Sequence, residues 1–313
     1  MRLAPICLFT YNRLAETEQT IEYLKNNFLA KQSELFIFSD SYKNEQSKPK
    51  VKAVRDYIRT VDGFKSVTIF EMSTNLGLAN SIISGVSKII KKYGKAIVLE
   101  DDLITSSNFL DYMNQSLDYY EFNSKVFSIA GYSIKVNTPA DFKSDVYFKG
   151  RATSWGWATW EDRWNSVDWE LNDINAFFKS RKQKRHLRKH GDDLLKILRD
   201  YTKGRNDSWA IRFAYNQIKS NKVSVAPVIS KVRNIGFGGD ATHCKAVYNR
   251  DKILFDVSGK RQFNLTPKVH SEPKIERQLR LHSSKPQRAL GKILNYLIRK
   301  KIISSIGNIR YVK

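Results

Sequence analysis

The chain of 313 residues has 54 Lys and Arg against 31 Asp and Glu, a formal net charge of +23, with 41% hydrophobic and 12% aromatic residues. This composition makes one large or two modest globular domains and excludes a disordered chain. No apolar run approaches the roughly 18 residues of a membrane-spanning helix, and Met1-Arg2-Leu3 leads straight into the first strand-like run with no signal-peptide pattern.

The positive charge asks for an anionic partner: nucleic acid, anionic phospholipid or a diphosphate substrate. No helix-turn-helix, zinc-finger or RNP signature accompanies it. Cys7 and Cys244 stand without metal or redox spacing, which predicts a reduced, cytoplasmic setting.

Ala4 to Phe9 reads as a buried strand ending in Thr10-Tyr11-Asn12-Arg13, followed by a helical pattern from Ala15 to Asn26. Leu35 to Phe38 is a second strand that ends at Ser39-Asp40, and a lysine-rich loop leads to a helix near Val51 to Thr60. Ser66 to Phe70 is a third. Asn75-Leu76-Gly77-Leu78 then opens a helix to about Lys92, with Ile82, Ile83, Val86, Ile89 and Ile90 on its apolar face.

Next comes Ala96-Ile97-Val98-Leu99, a run too short for a helix and right for a parallel strand buried on both faces. Glu100-Asp101-Asp102 follow where it ends. Burying an unpaired carboxylate costs several kcal/mol, so three in a row belong at a strand tip that opens on a cleft. In an extended backbone Glu100 and Asp102 share one side and Asp101 takes the other. Mg²⁺ or Mn²⁺, which take hard oxygen ligands completed by substrate phosphates, is the fitting partner. An acidic strand end before a helix capped by Thr105, Ser106 or Ser107 is the structural alternative.

Strands alternating with helices of this length imply βαβ crossovers and a mainly parallel sheet, which binds ligands at the carboxyl ends of its strands. Those ends carry Thr10 to Arg13, Asp40, Asn75 to Leu78 and Glu100 to Asp102.

After a strand at Val126 to Ala130, all six tryptophans fall between Trp155 and Trp209, four of them within Ser154 to Trp164. They read either as a core patch or as a platform for sugar rings built on Trp155, Gly156, Trp157 and Trp209. Lys179 to His190 reads as a solvated basic helix face. A helix opens after Arg205, capped by Asn206 or Asp207, and runs through Asn216. Asn234 to His243 reads as a glycine-rich loop that either closes over a ligand or is an exposed turn. In the tail, Leu290, Ile293, Leu294, Leu297 and Ile298 form one helical stripe flanked by cations, suited either to a bilayer interface or to packing on the protein's own core or on a second copy.

From Ala4 to about His243 the chain resembles glycosyltransferases of the GT-A fold, in particular bacterial members of glycosyltransferase family 2. It also resembles N-acetylglucosaminyltransferase I, whose metal motif likewise reads Glu-Asp-Asp. The resemblance implies a Rossmann-like, mostly parallel α/β sheet flanked by helices, and the basic helical tail lies outside it. Residues 1–130 would form the donor half, 131–265 the acceptor half and 266–313 the tail. It implies Thr10, Tyr11, Asn12, Arg13, Asp40, Asn75, Gly77, Leu78, Glu100 and Asp101 for the nucleotide-sugar, and Asp102 as direct ligand of Mn²⁺ or Mg²⁺. His243 would be a second ligand and Asp207, in an Asp-Ser-Trp context, the base that deprotonates the acceptor.

One base and no second nucleophile implies single displacement with inversion. A UDP-sugar donor and a glycan or lipid-linked acceptor follow by family habit, in bacterial surface glycan synthesis on the cytoplasmic side of an anionic membrane. The eukaryotic members carry a membrane anchor that this sequence does not show. A metal-dependent phosphoesterase or nuclease would bring carboxylates on further strand ends, and a nucleic-acid binder would stack bases on the tryptophans. Both are the lesser readings, and nucleic acid is not expected as a partner.

Overall fold

The computed structural model describes residues 2–236 and 252–300. Among them are ten strands: β1 (Ile6–Thr10), β2 (Glu34–Ser39), β3 (Ser66–Glu71), β4 (Lys95–Glu100), β5 (Leu103–Thr105), β6 (Val126–Ala130), β7 (Val146–Lys149), β8 (Trp157–Trp160), β9 (Val223–Pro227) and β10 (Val232–Asn234). Eight form one sheet in the order β3-β2-β1-β4-β8-β6-β9-β7, and β5 pairs with β10 separately. The first four are mutually parallel, and β8 runs antiparallel to both β4 and β6. β9 follows β6 in parallel and β7 closes the edge antiparallel. The expected mixed α/β class, a mainly parallel sheet flanked by helices, is the one observed, and no described helix is long and apolar enough to cross a membrane.

Strand alternation builds two cores. Ile6, Leu8, Leu35, Ile37, Ile97 and Leu99 point to one face, against Ile21 and Leu24 of the helix Leu14–Lys25 and Leu110, Met113 and Leu117 of the helix Phe109–Tyr120. Cys7, Phe9, Phe36, Phe38, Ala96 and Val98 point to the other, against Ile82, Val86 and Ile90 of the helix Gly77–Tyr93. Continuous apolar runs in β1, β2 and β4 arise because both faces are covered.

The tryptophan cluster belongs to that second core. Trp157 stacks on Trp164 at 5.7 Å and on Trp209 at 5.0 Å, with Phe213 beside them. Trp157 is 1% exposed and Trp209 3%, so no ring face is open to a sugar. The platform expected of these two gives way to a packing role, since large aromatic rings remove much apolar surface from water when they pack on one another. The segment that holds Trp157 is a strand, β8, not read as one in the sequence.

Candidate functional site

Parallel strands β3-β2-β1-β4 bring their carboxyl ends to one edge of the sheet, and a web of hydrogen bonds ties the loops there. Asp40, just past β2, is buried and accepts from four donors: the amides of Ser41 (2.8 Å), Leu76 (2.9 Å) and Gly77 (2.9 Å) and the Asn75 side chain (3.1 Å). Asn75 also donates to the Ser41 carbonyl at 2.6 Å. Gly77 has φ +74°, which suits glycine, and starts the helix with its amide turned to Asp40. Asp40 and Asn75 thus build the turn, and Leu78 beside them is exposed.

On the other flank, the Tyr11 amide donates to Asp101 at 3.2 Å. Arg13 spans two carboxylates, pairing with Asp101 and, at 3.1 Å, with Asp102. Thr20 donates to the Asp101 carbonyl (2.9 Å) and accepts from the Leu103 amide (3.1 Å), which fixes the turn after β4. That turn corrects the expected alternation. The strand ends at Glu100, so Asp101 and Asp102 both face Arg13 instead of opposite sides. The cap expected from Thr105, Ser106 or Ser107 is likewise absent: Thr105 ends β5, and Asn108 precedes the helix without a capping bond.

Crowding shows in the carboxylates. Burial first, then the charges of Asp102 and Asp101, push Glu100 up to about 8. No hydrogen bond relieves its carboxylate among the described residues; the distant help is the charge of Arg13. Burial raises Asp101 to about 6 although Arg13 opposes it. Thr10 is buried with its hydroxyl unpartnered among the described residues.

No group of three or more His, Cys, Asp or Glu is arranged to hold a metal ion among the described residues. The donor chemistry at the strand end, two carboxylates of hard oxygen beside an unpaired third, nevertheless suits Mg²⁺ or Mn²⁺ when substrate phosphates supply the remaining ligands. His243 and most of the glycine-rich loop lie outside the described residues. The start of that loop is visible: the Ile235 amide donates to the Asp102 carbonyl at 2.8 Å. A Cβ at Gly236 would collide with Asp102 Oδ2. Gly236→Ala is therefore expected to displace the Asp102 carboxylate and lower turnover at least tenfold with little change in melting temperature; unchanged turnover would show that the carboxylate's position is immaterial.

β8 runs antiparallel to β4 with Trp157 opposite Val98, so Trp155 and Gly156, just before β8, also reach this edge. Gly156 is a tight turn at φ +59°, where a Cβ would meet Val232 at 2.7 Å; its role is steric. Trp155 is half-buried, packs edge-on against Tyr132 at 4.6 Å and lines a cavity with it. Of the four aromatic-segment candidates, Trp155 alone has an accessible side chain.

Asp207 is placed apart. Its side chain is 64% exposed, pairs with Arg212 at 3.2 Å and borders a hollow with Glu170, Leu171 and Tyr201, without contact to Asp101 or Asp102. Neither Asn206 nor Asp207 caps the helix Trp209–Lys219. Ser208 does, accepting from the Ile211 amide at 3.3 Å, because its extended backbone aims the hydroxyl at that donor.

Two buried residues went unread in the sequence. Lys231 and Asp256, 4% and 5% exposed, form an ion pair, and Asn108 donates to Asp256 at 3.0 Å. Lone charges in apolar surroundings 25 residues apart give no periodic signal.

No family model matches the sequence, and no curated protein matches it. Among solved structures, the chain is similar to the mannosyltransferase PcManGT from Pyrobaculum calidifontis in complex with GDP-Man and Mn²⁺, at 12% identity and a TM-score of 0.35, over 51% of this chain and 45% of that one. It is similar to S. aureus TarS at 10% identity and a TM-score of 0.39, over 74% and 60% of the two chains. A UDP-glucose pyrophosphorylase complexed with UDP-glucose matches at 12% identity and a TM-score of 0.35, over 72% and 90%. The chain spans about half the length of the first two structures that it matches.

Proposed function

We propose that the chain is a glycosyltransferase moving a sugar from a nucleotide-diphospho-sugar, a UDP-sugar by preference, to an acceptor hydroxyl with inversion, in the synthesis of a bacterial surface glycan. The observation that carries this reading is the convergence of Tyr11, Arg13, Asp40, Asn75 and Asp101-Asp102 on one strand-end edge, with a cation set among carboxylates. Such an edge suits a ligand that has a diphosphate at one end and a polar base at the other.

Asp101 and Asp102 would hold Mn²⁺ or Mg²⁺, which supplies counter-charge for the departing diphosphate. Arg13, paired with both carboxylates, would orient them for the metal. Asp40 and Asn75 hold the amide of Gly77 and the turn around it in one conformation. Asp207 is assigned the acceptor's proton on its Asp-Ser-Trp context and its free carboxylate edge at the start of a helix whose preceding residue, Ser208, lines the cavity beside Trp155. Asp207→Asn then lowers turnover about a hundredfold with donor binding intact. Normal turnover would reduce Asp207 to a surface partner of Arg212.

The test of the whole reading is thermal stability across a panel of UDP, GDP and dTDP sugars with and without Mn²⁺, since a ligand held only by the folded state raises its melting temperature. A metal-dependent shift with one nucleotide, and hydrolysis of that sugar, is expected; no shift and no hydrolysis for any of them would sink it.

The tail fits a lipid-linked acceptor. In the helix Lys285–Arg299, Ile298 packs inward while Leu290 (48%), Ile293 (55%) and Tyr296 (59%) are exposed, with Lys285, Arg288 and Lys292 around them. This splits the single stripe read from periodicity, one part facing the protein and one facing out. Full-length protein is expected to float with anionic vesicles at low salt, each interfacial cation contributing about 1 kcal/mol. Leu290→Asp with Ile293→Asp should stay folded and unbound; equal flotation of both proteins makes the tail structural.

A further inference from the structure

A cavity of about 360 Å³ lies along the sheet. It runs from the carboxylate edge, where Ser154 and Trp155 lead into β8, to the far edge, where Lys149 ends β7 opposite Ser224. Ile134, Leu194, Ile211 and Leu279 give it apolar walls, and its polar lining is out of balance. Of the acidic side chains among its described lining residues, Asp193 is consumed by Arg151, which grips both its oxygens at 3.0 Å, and Glu276 remains. Against that stand Lys149, Lys189 and Arg280.

Lys149 is the telling residue. The side chain is half-buried and its ammonium makes no hydrogen bond or ion pair with any described residue, and burial together with the neighbouring Arg151 pulls it down to about 7. Two positions earlier on the same strand, hence on the same face of the sheet, Tyr147 is 2% exposed and its hydroxyl has no partner among the described residues. A buried donor without an acceptor is costly to leave unsatisfied. Both side chains line the same cavity.

We infer that this cavity is a subsite for a phosphate ester carried by the acceptor, bound by the Lys149 ammonium and the Tyr147 hydroxyl. The unpaired ammonium and the orphaned hydroxyl are what a phosphate's oxygens complete, the apolar walls accommodate the group that bears it, and the Trp155 end opens towards the donor edge. That the phosphate belongs to an acceptor rests on the glycosyltransferase reading; the anion site itself does not.

Equilibrium dialysis of labelled inorganic phosphate at constant ionic strength in chloride tests it on the full chain without nucleotide or metal. Saturable binding is expected, weakened at least tenfold in Lys149→Met and severalfold in Tyr147→Phe, a change that removes one oxygen and leaves the packing intact should the lysine variant fold poorly. Displacement by glucose 1-phosphate marks a glycan phosphate as the source, and displacement only by phosphatidylglycerol vesicles marks a lipid headgroup; either supports the subsite. Binding that is absent, or equal in wild type and both variants, overturns it. Phosphate binding lost in the variants while no nucleotide-sugar shifts the wild-type melting temperature would keep the subsite and remove the glycosyltransferase reading.

Discussion

Asp102→Asn is expected to lower nucleotide-sugar turnover about a hundredfold, the equivalent of roughly 3 kcal/mol in the barrier, while the melting temperature moves by no more than a few degrees. The small effect on folding follows from the site's electrostatics. Arg13 keeps its pairing with Asp101, the amide oxygen introduced at position 102 remains within reach of the guanidinium, and one like charge leaves a site where burial first, and the neighbouring carboxylates second, push Glu100 up to about 8. The large effect on rate follows from the donor set, because an amide oxygen is a weaker ligand for a hard divalent cation than a carboxylate. Steady-state hydrolysis with Mn²⁺ titration checks it, with thermal melts of both proteins alongside. Full turnover by the variant in EDTA would show that neither metal nor Asp102 takes part.

The second large effect is on stability. Asp256→Ala leaves Lys231 buried, 4% exposed, without its counter-charge, and breaking a buried pair from one side costs about 3–5 kcal/mol. A fall of roughly 10 °C in melting temperature is expected for a domain of this size. Replacing both partners, Lys231→Met with Asp256→Leu, should recover much of the loss, because the apolar pair carries no uncompensated charge. A double variant no more stable than Asp256→Ala would contradict the charge argument.

The same pair predicts a pH dependence. Burial works to raise Asp256, but hydrogen bonds from Lys231, Ser258 and Asn108 outweigh it and hold the carboxyl at about 2, below the ordinary 3.8. Its folded value is depressed, so its stabilisation is present above the ordinary value of 3.8 and is lost as the pH falls through 2. Acid unfolding of wild type should therefore be steeper over that interval than that of the double apolar variant.

The alternation of short apolar runs with helical patterns sufficed to define β1 to β4, their parallel sense and the edge to which their ends converge, though not their order in the sheet. β1, β2 and β4 are buried on both faces, and burial on both faces writes itself as an unbroken apolar run. Thr10 to Arg13, Asp40, Asn75 to Gly77 and the three carboxylates were legible for a related reason: polar residues at the end of such a run have only a strand tip to occupy.

Sequence alone did not decide pairings across distance. Arg13 meets Asp101 and Asp102, 88 and 89 residues on, and the turn after β4 rotates Asp101 to the same side as Asp102, which no period of two predicts. By composition the tryptophans suited a core patch more readily than a platform without deciding between them, and the antiparallel insertion of β8 between β4 and β6 buried Trp157 and left Trp155 on a cavity, with Trp209 buried against Trp157. Lys231 with Asp256, and Lys149 with Tyr147, draw their meaning from what surrounds them. A charge's cost depends on its solvent and its partner, and both are properties of the folded chain.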